Sequence, residues 1–229
     1  MNLFVWFVLA ALPAGLARAQ SPLVGARPDS VLVASHFGSD NKEMNQLMSH
    51  VLHIEKIHVE VHSASQKAKR FHLTYQEYKN GAPGPEKELV GNVERLTSFD
   101  KQGNFVMDVF AREATETTLL NQFFFENGAT EKSFVALPGT SGRYSLRQDI
   151  WPYKKRKTLT PALPDEQPTV ERYFLIGKKV PFLVYTLPYE DKKNGYLLYC
   201  DLAQSKVPVA AWYKQFNIAH FVVYSLVVE

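Results

Sequence analysis

Cysteine is almost missing from this chain: Cys200 is the only one among 229 residues. An internal disulfide is therefore excluded, and so is any zinc site built on cysteine pairs. Cys200 follows the apolar run Tyr196-Leu197-Leu198-Tyr199, where a thiol serves as a small buried hydrophobe. Asp201 beside it has the wrong charge for an activated thiolate. Other chemical devices are missing too. There is no H-E-x-x-H helix, no EF-hand loop, and no glycine-rich phosphate loop between a strand and a helix. Gly139-Thr140-Ser141-Gly142-Arg143 begins like a nucleophile elbow, but Arg143 stands where a small glycine is needed. The stretch Tyr144-Ser145-Leu146 after it looks extended, so the segment reads as a turn. These absences argue against an enzyme. Charge of one sign is lacking as well. A net charge of +3 gives no reason to expect a nucleic-acid partner or a membrane surface.

The one long apolar run, Leu3 to Leu12, lies at the N-terminus and is broken by Pro13 and Gly15. It is shorter than the roughly 20 residues that span a bilayer. Ala17-Arg18-Ala19 follows, an A-x-A pattern, although no Lys or Arg precedes the run. This predicts a secretory signal peptide over residues 1–19, with no transmembrane segment in the mature chain. Export without disulfides points to a bacterial periplasm or cell surface. Residues 20–229 suit a single domain, and 45% hydrophobic residues suffice for a sizeable core.

Apolar periodicity then sorts the chain. Asp40 and Glu43 form a capping-box pattern, and Met44, Leu47, Met48 and Val51 recur at i, i+3, i+4 and i+7. This predicts an amphipathic helix of about three turns that covers a sheet or closes a barrel mouth. After His53 the period changes to two. Ile57, Val59 and Val61 alternate with His58, Glu60 and His62, and Phe71, Leu73 and Tyr75 alternate with His72, Thr74 and Gln76. The pair reads as a hairpin joined through residues 63–69. Further strands are expected at 89–99, 105–112, 118–126, 132–137, 144–150, 172–176, 180–187 and 196–202. Asp100 to Gly103, Asn127-Gly128 and Asn194-Gly195 supply turns. The final run, 218–228, is apolar on both faces and reads as a central, covered strand. Trp151 to Pro168 is a long proline-rich loop. The sum is a mostly β chain, an antiparallel meander forming a sandwich, barrel or half-barrel, with one N-terminal amphipathic helix. Signal peptide, helix and meander in that order are similar in outline to periplasmic lipid-carrier half-barrels and lipocalin-like barrels, a likeness of architecture carried by no shared motif.

Three groups of residues could carry function. Met44, Leu47, Met48 and Val51 would line an apolar cavity beneath the helix. Five of the seven histidines fall between His50 and His72. His58, Glu60 and His62 share one strand face. If His62 registers against His72, this set could hold zinc, the only cofactor the pattern suits, and assist a hydrolysis. The plainer reading is a solvated, histidine-rich face. His220, in an apolar strand, reads as a core histidine. Trp151, Tyr153, Lys154, Lys155, Arg156 and Lys157 could grip an anionic partner from the long loop, although Asp165 and Glu166 blunt the patch. The expectation is an exported, non-catalytic binding protein enclosing an apolar or lipid-like small molecule. The alternatives are an envelope structural or interaction module that docks another protein, and a metal-assisted hydrolase.

Overall fold

The computed structural model describes residues 29–90, 93–148, 157–159, 169–192, 194–199 and 207–229. The expected signal peptide, Cys200 and most of the 151–168 loop lie outside these residues.

Two antiparallel sheets dominate. The large one contains β1 (Ser30–Phe37), β2 (Glu55–His62), β6 (Asn104–Thr115), β7 (Thr118–Phe125), β8 (Gly128–Val135), β10 (Lys157–Leu159) and β11 (Thr169–Leu175), in the order β10-β11-β1-β2-β6-β7-β8. The smaller one contains β3 (Phe71–Lys79), β4 (Ala82–Pro83), β9 (Ser145–Gln148), β12 (Val180–Thr186) and β15 (His220–Val228), in the order β4-β3-β15-β12-β9, and β5 (Lys87–Glu88) also pairs with β3. A separate hairpin joins β13 (Tyr189–Asp191) to β14 (Tyr196–Leu198). Among the described residues the sheets do not close into a barrel; they face one another as in a sandwich. No helix among the described residues is long and apolar enough to cross a membrane.

The period-two pattern explains the facing. Ile57, Val59 and Val61 on β2, Met107 and Val109 on β6, and Phe71, Leu73 and Tyr75 on β3 are all buried in one shared core. Rings interlock across the two layers. Phe71 lies 3.7 Å from Phe105 with the rings tilted by 33°, Phe123 meets Tyr224 edge-on at 5.0 Å, and Tyr75 meets Phe134 edge-on at 5.5 Å. The C-terminal strand β15 runs between β3 and β12, as its two apolar faces predict. Its inward residues join the core. On its other face Phe221 packs against Trp212, a fully buried residue of the short helix Trp212–Phe216, which the sequence reading missed. That helix stops at Asn217, whose left-handed backbone (φ 57°) donates its N–H to the Tyr213 carbonyl. Gly81 (φ 80°) lies so close to it that an added Cβ would come 2.7 Å from the Tyr213 ring.

Two carboxylates of the large sheet staple the smaller sheet's outer edge. Glu55 at the start of β2 accepts from Ser145 Oγ at 2.6 Å and from the Leu146 N–H of β9. Glu113 accepts backbone N–H groups from Gly142, Arg143 and Tyr144 at 2.8, 3.0 and 3.0 Å. The glycine-flanked segment is thus a turn held by an acid. Burial raises the Glu55 pKa, against the bonds from Ser145 and Leu146.

Several expectations need correction. The amphipathic helix is only Lys42–Gln46, capped by the Asn41 side chain, followed by a π-type turn over Leu47–Val51. A π turn spreads each loop over more residues, and Leu52 N–H reaches back to the Leu47 carbonyl, so the 3.6-residue stripe breaks up. Met48 is buried, but Met44, Leu47 and Val51 are 47%, 44% and 65% exposed. The strand expected at 89–99 gives way to a helical turn at Glu94–Thr97. Strands β2 and β3 do not form a hairpin, because residues 63–69 carry the chain from one sheet to the other. At Asn127-Gly128 the turn residues are Glu126 and Asn127, since Gly128 already pairs with Phe125 in an extended conformation.

Met107→Ala should cost about 2–5 kcal/mol by opening a cavity in the shared core. Met44→Ala should change stability by no more than about 0.5 kcal/mol. Urea denaturation of both variants checks the contrast.

Candidate functional site

The structure separates the histidines expected to act together. His58 and Glu60 lie on the outward face of β2, but His62 bonds Asn104 (Nδ1 to Oδ1, 2.7 Å) and His72 sits in the other sheet, opposite Val227. His72 Nε2 reaches Glu229 at 3.1 Å. Among the described residues, no three His, Cys, Asp or Glu side chains converge to hold a metal. What surrounds His58 is an ion network. Its Nδ1 lies 2.7 Å from Asp108 and its Nε2 3.1 Å from Glu60, while Lys56 Nζ reaches Asp108 at 3.1 Å. The hydrogen bonds to Asp108 and Glu60 push the imidazole pKa up to about 9 against the cost of burial. Both ring nitrogens are therefore donors to carboxylates, which leaves neither for a metal. His36, with its ring 4.9 Å away, is pushed the other way by burial and by the His58 charge.

The other expected groups fare unevenly. Three of the four apolar helix residues face solvent, so they do not line a cavity. Trp151, Tyr153, Lys154, Lys155 and Arg156 lie outside the described residues. Lys157 opens β10, in register with Glu171 of β11. His220 is fully buried and doubly partnered: Tyr144 Oη lies 2.5 Å from its Nδ1, and Glu77 Oε1 lies 2.9 Å from its Nε2. Burial lowers its pKa, and Glu77 works in the opposite direction.

Glu77 leads to a site that the sequence reading missed. Between the β3–β5 side of the small sheet and the β8 edge of the large one lies an open groove of about 410 Å³. That volume falls within the range of small-molecule sites. Lys79, Lys87 and Lys132 line it, with Tyr75, Phe134 and Glu77. Glu77 is already engaged by His220 and by Lys79, whose Nζ is 3.0 Å away. Lys132 Nζ sits 5.4 Å from the centre of the Tyr75 ring. Neither Lys87 nor Lys132 has a carboxylate partner among the described residues, so the groove carries a surplus of positive charge. Behind it Asn121, in register with Lys132, donates through Nδ2 to Tyr224 Oη, while its buried Oδ1 has no partner among the described residues.

A signal for this site existed in the sequence. On β8 the inward positions run Thr130, Lys132, Phe134, and on β3 they run Phe71, Leu73, Tyr75, Glu77, Lys79. A lysine or glutamate in an apolar register marks a place where a sandwich opens.

Protonated His58 binds the fold through its two acids. A folded pKa above the unfolded value of about 6.5 gives a contribution complete below that value and lost as pH rises toward 9. Wild-type stability should therefore fall between pH 6.5 and 9 more steeply than that of His58→Gln. Denaturant titrations at four pH values check this, and parallel slopes would count against the network.

Comparison of the chain with family models, with curated proteins and with solved structures returns no match.

Proposed function

We propose that this chain is an exported, non-catalytic binding protein that takes an anionic partner in the groove between β3 and β8. The observation carrying this reading is the charge imbalance there: among the described residues Lys87 and Lys132 face the opening without carboxylate partners, and the one acid of the lining, Glu77, is already shared by Lys79 and His220. Tyr75 and Phe134 add an aromatic wall, so charge and apolar contact are offered together. Enclosure of a lipid-like molecule is less well supported, because aromatic rings from both sheets fill the described interior and the short helix lies exposed. Docking of an envelope partner fits an open groove better. A hydrolase has the least support, since the acids that would serve it already bond His58.

Fluorescein-labelled hexaglutamate, followed by anisotropy against the whole protein, tests the reading. Binding should weaken as salt rises from 20 to 300 mM, as for exposed charges. It should fall at least tenfold in Lys87→Glu/Lys132→Glu and stay unchanged in Lys101→Glu, a control on the distant turn after Asp100. Absence of hexaglutamate binding at low salt, or equal binding by the double variant, would sink the proposal.

A further inference from the structure

The groove is bounded on one side by a free strand edge. Strand β8 pairs with β7 and with no other strand among the described residues. An edge strand turns the N–H and C=O of every second residue away from its only neighbour. The start of β8 is covered: Leu96 lies against Gly128, where an added Cβ would come 2.7 Å from its Cδ2, and Thr130 Oγ1 contacts the Leu89 carbonyl at 3.5 Å. From Lys132 to Val135 the edge stands open on the groove, and Val135 is 65% exposed.

We infer that the partner is an extended acidic peptide that adds as a further strand to β8, placing carboxylates inward against Lys132 and Lys87 and small apolar side chains outward beside Val135. This rests on the anionic groove proposed above and adds the geometry of its occupant. The alternation follows from the strand itself. Residues facing each other across neighbouring strands share a face, so the inward positions of an added strand meet Lys132 and Phe134. Its outward positions meet Glu131, Ser133 and Val135, where an acid would be repelled by Glu131.

An inward lysine on an edge strand also has a plainer use, as a guard against indiscriminate edge pairing. That use explains Lys132 but not the arrival of Lys79 and Lys87 from the other sheet. It also sharpens the choice of occupant. A second copy of this chain pairing β8 to β8 about a two-fold axis would set two lysine-lined grooves side by side, with like charges on one face. A strand that brings carboxylates turns the guard into a selector.

The experiment compares four labelled peptides on the whole protein: (Glu-Val)3; Glu-Glu-Glu-Val-Val-Val, of identical composition and charge; (Glu-Val)3 with its valine nitrogens methylated; and (Glu-Val)3 with its glutamate nitrogens methylated. Strand addition is supported if (Glu-Val)3 binds at least tenfold tighter than the block peptide, if one methylation pattern abolishes binding and the other does not, and if hydrogen exchange slows at β8 amides. If all the acidic peptides bind equally and Lys87→Glu/Lys132→Glu releases them, strand addition is overturned and the anionic groove stands. If none binds, both readings fall. A concentration-dependent dimer in sedimentation that the peptide disperses would show the edge taken by a second copy and overturn the proposal.

Discussion

The arrangement hangs on the burial of β15 on both faces. An antiparallel strand with apolar residues on both faces has nowhere to lie except between two layers, and here those layers are the large sheet on one side and the Trp212–Phe216 helix on the other. Because β15 is central, β3 and β12 must flank it, and their inward residues must then oppose β2, β6 and β7. The loss of water around this apolar surface is the main stabilising term. Side-chain shape decides the rest: Phe71 against Phe105 and Tyr224 against Phe123 set how the layers meet.

That same strand carries polarity to the sandwich edge. Where β15 begins, its inward position is His220, and the next inward group on β3 is Glu77. The chain Tyr144–His220–Glu77 satisfies buried donors and acceptors and ends at the groove. Sheet edges without a full covering layer need either a staple or a charge. On the β9 side, Glu55 and Glu113 supply the staple by accepting backbone N–H groups. On the β8 side, lysines stand at an opening with no such acid free among the described residues, and this asymmetry between the two edges is what makes the groove a functional candidate.

Much of the fold was legible. Alternation located the buried residues of β2 and β3, turn signals bounded β6 and β7, and the run apolar on both faces at the C-terminus located the central strand. His220 read correctly as a core residue. The helix misread shows the limit of periodicity: the spacing of Met44, Leu47, Met48 and Val51 fits a regular helix, but the chain there takes a short helix and a π-type turn, which scatters the stripe. Zinc at His58, Glu60, His62 and His72 depended on a hairpin register, and a linker of residues 63–69 serves a hairpin or a crossing between sheets equally well in composition. The groove escaped notice because Lys132 of β8 lies far along the chain from Lys79 of β3 and Lys87 of β5, and only the fold brings them together.

By itself the sequence determined the period of each segment, hence which side chains turn toward a core, and it determined the scarcity of cysteine and of catalytic motifs. Those properties are local, since they follow from the pleat of a strand and the chemistry of single residues. Tertiary structure alone decided which strands share a sheet, that Asp108 joins Glu60 on His58, and that Lys132 meets Lys79 and Lys87 at one opening. These are pairings between distant residues, and their energies depend on distances that no spacing along the chain specifies.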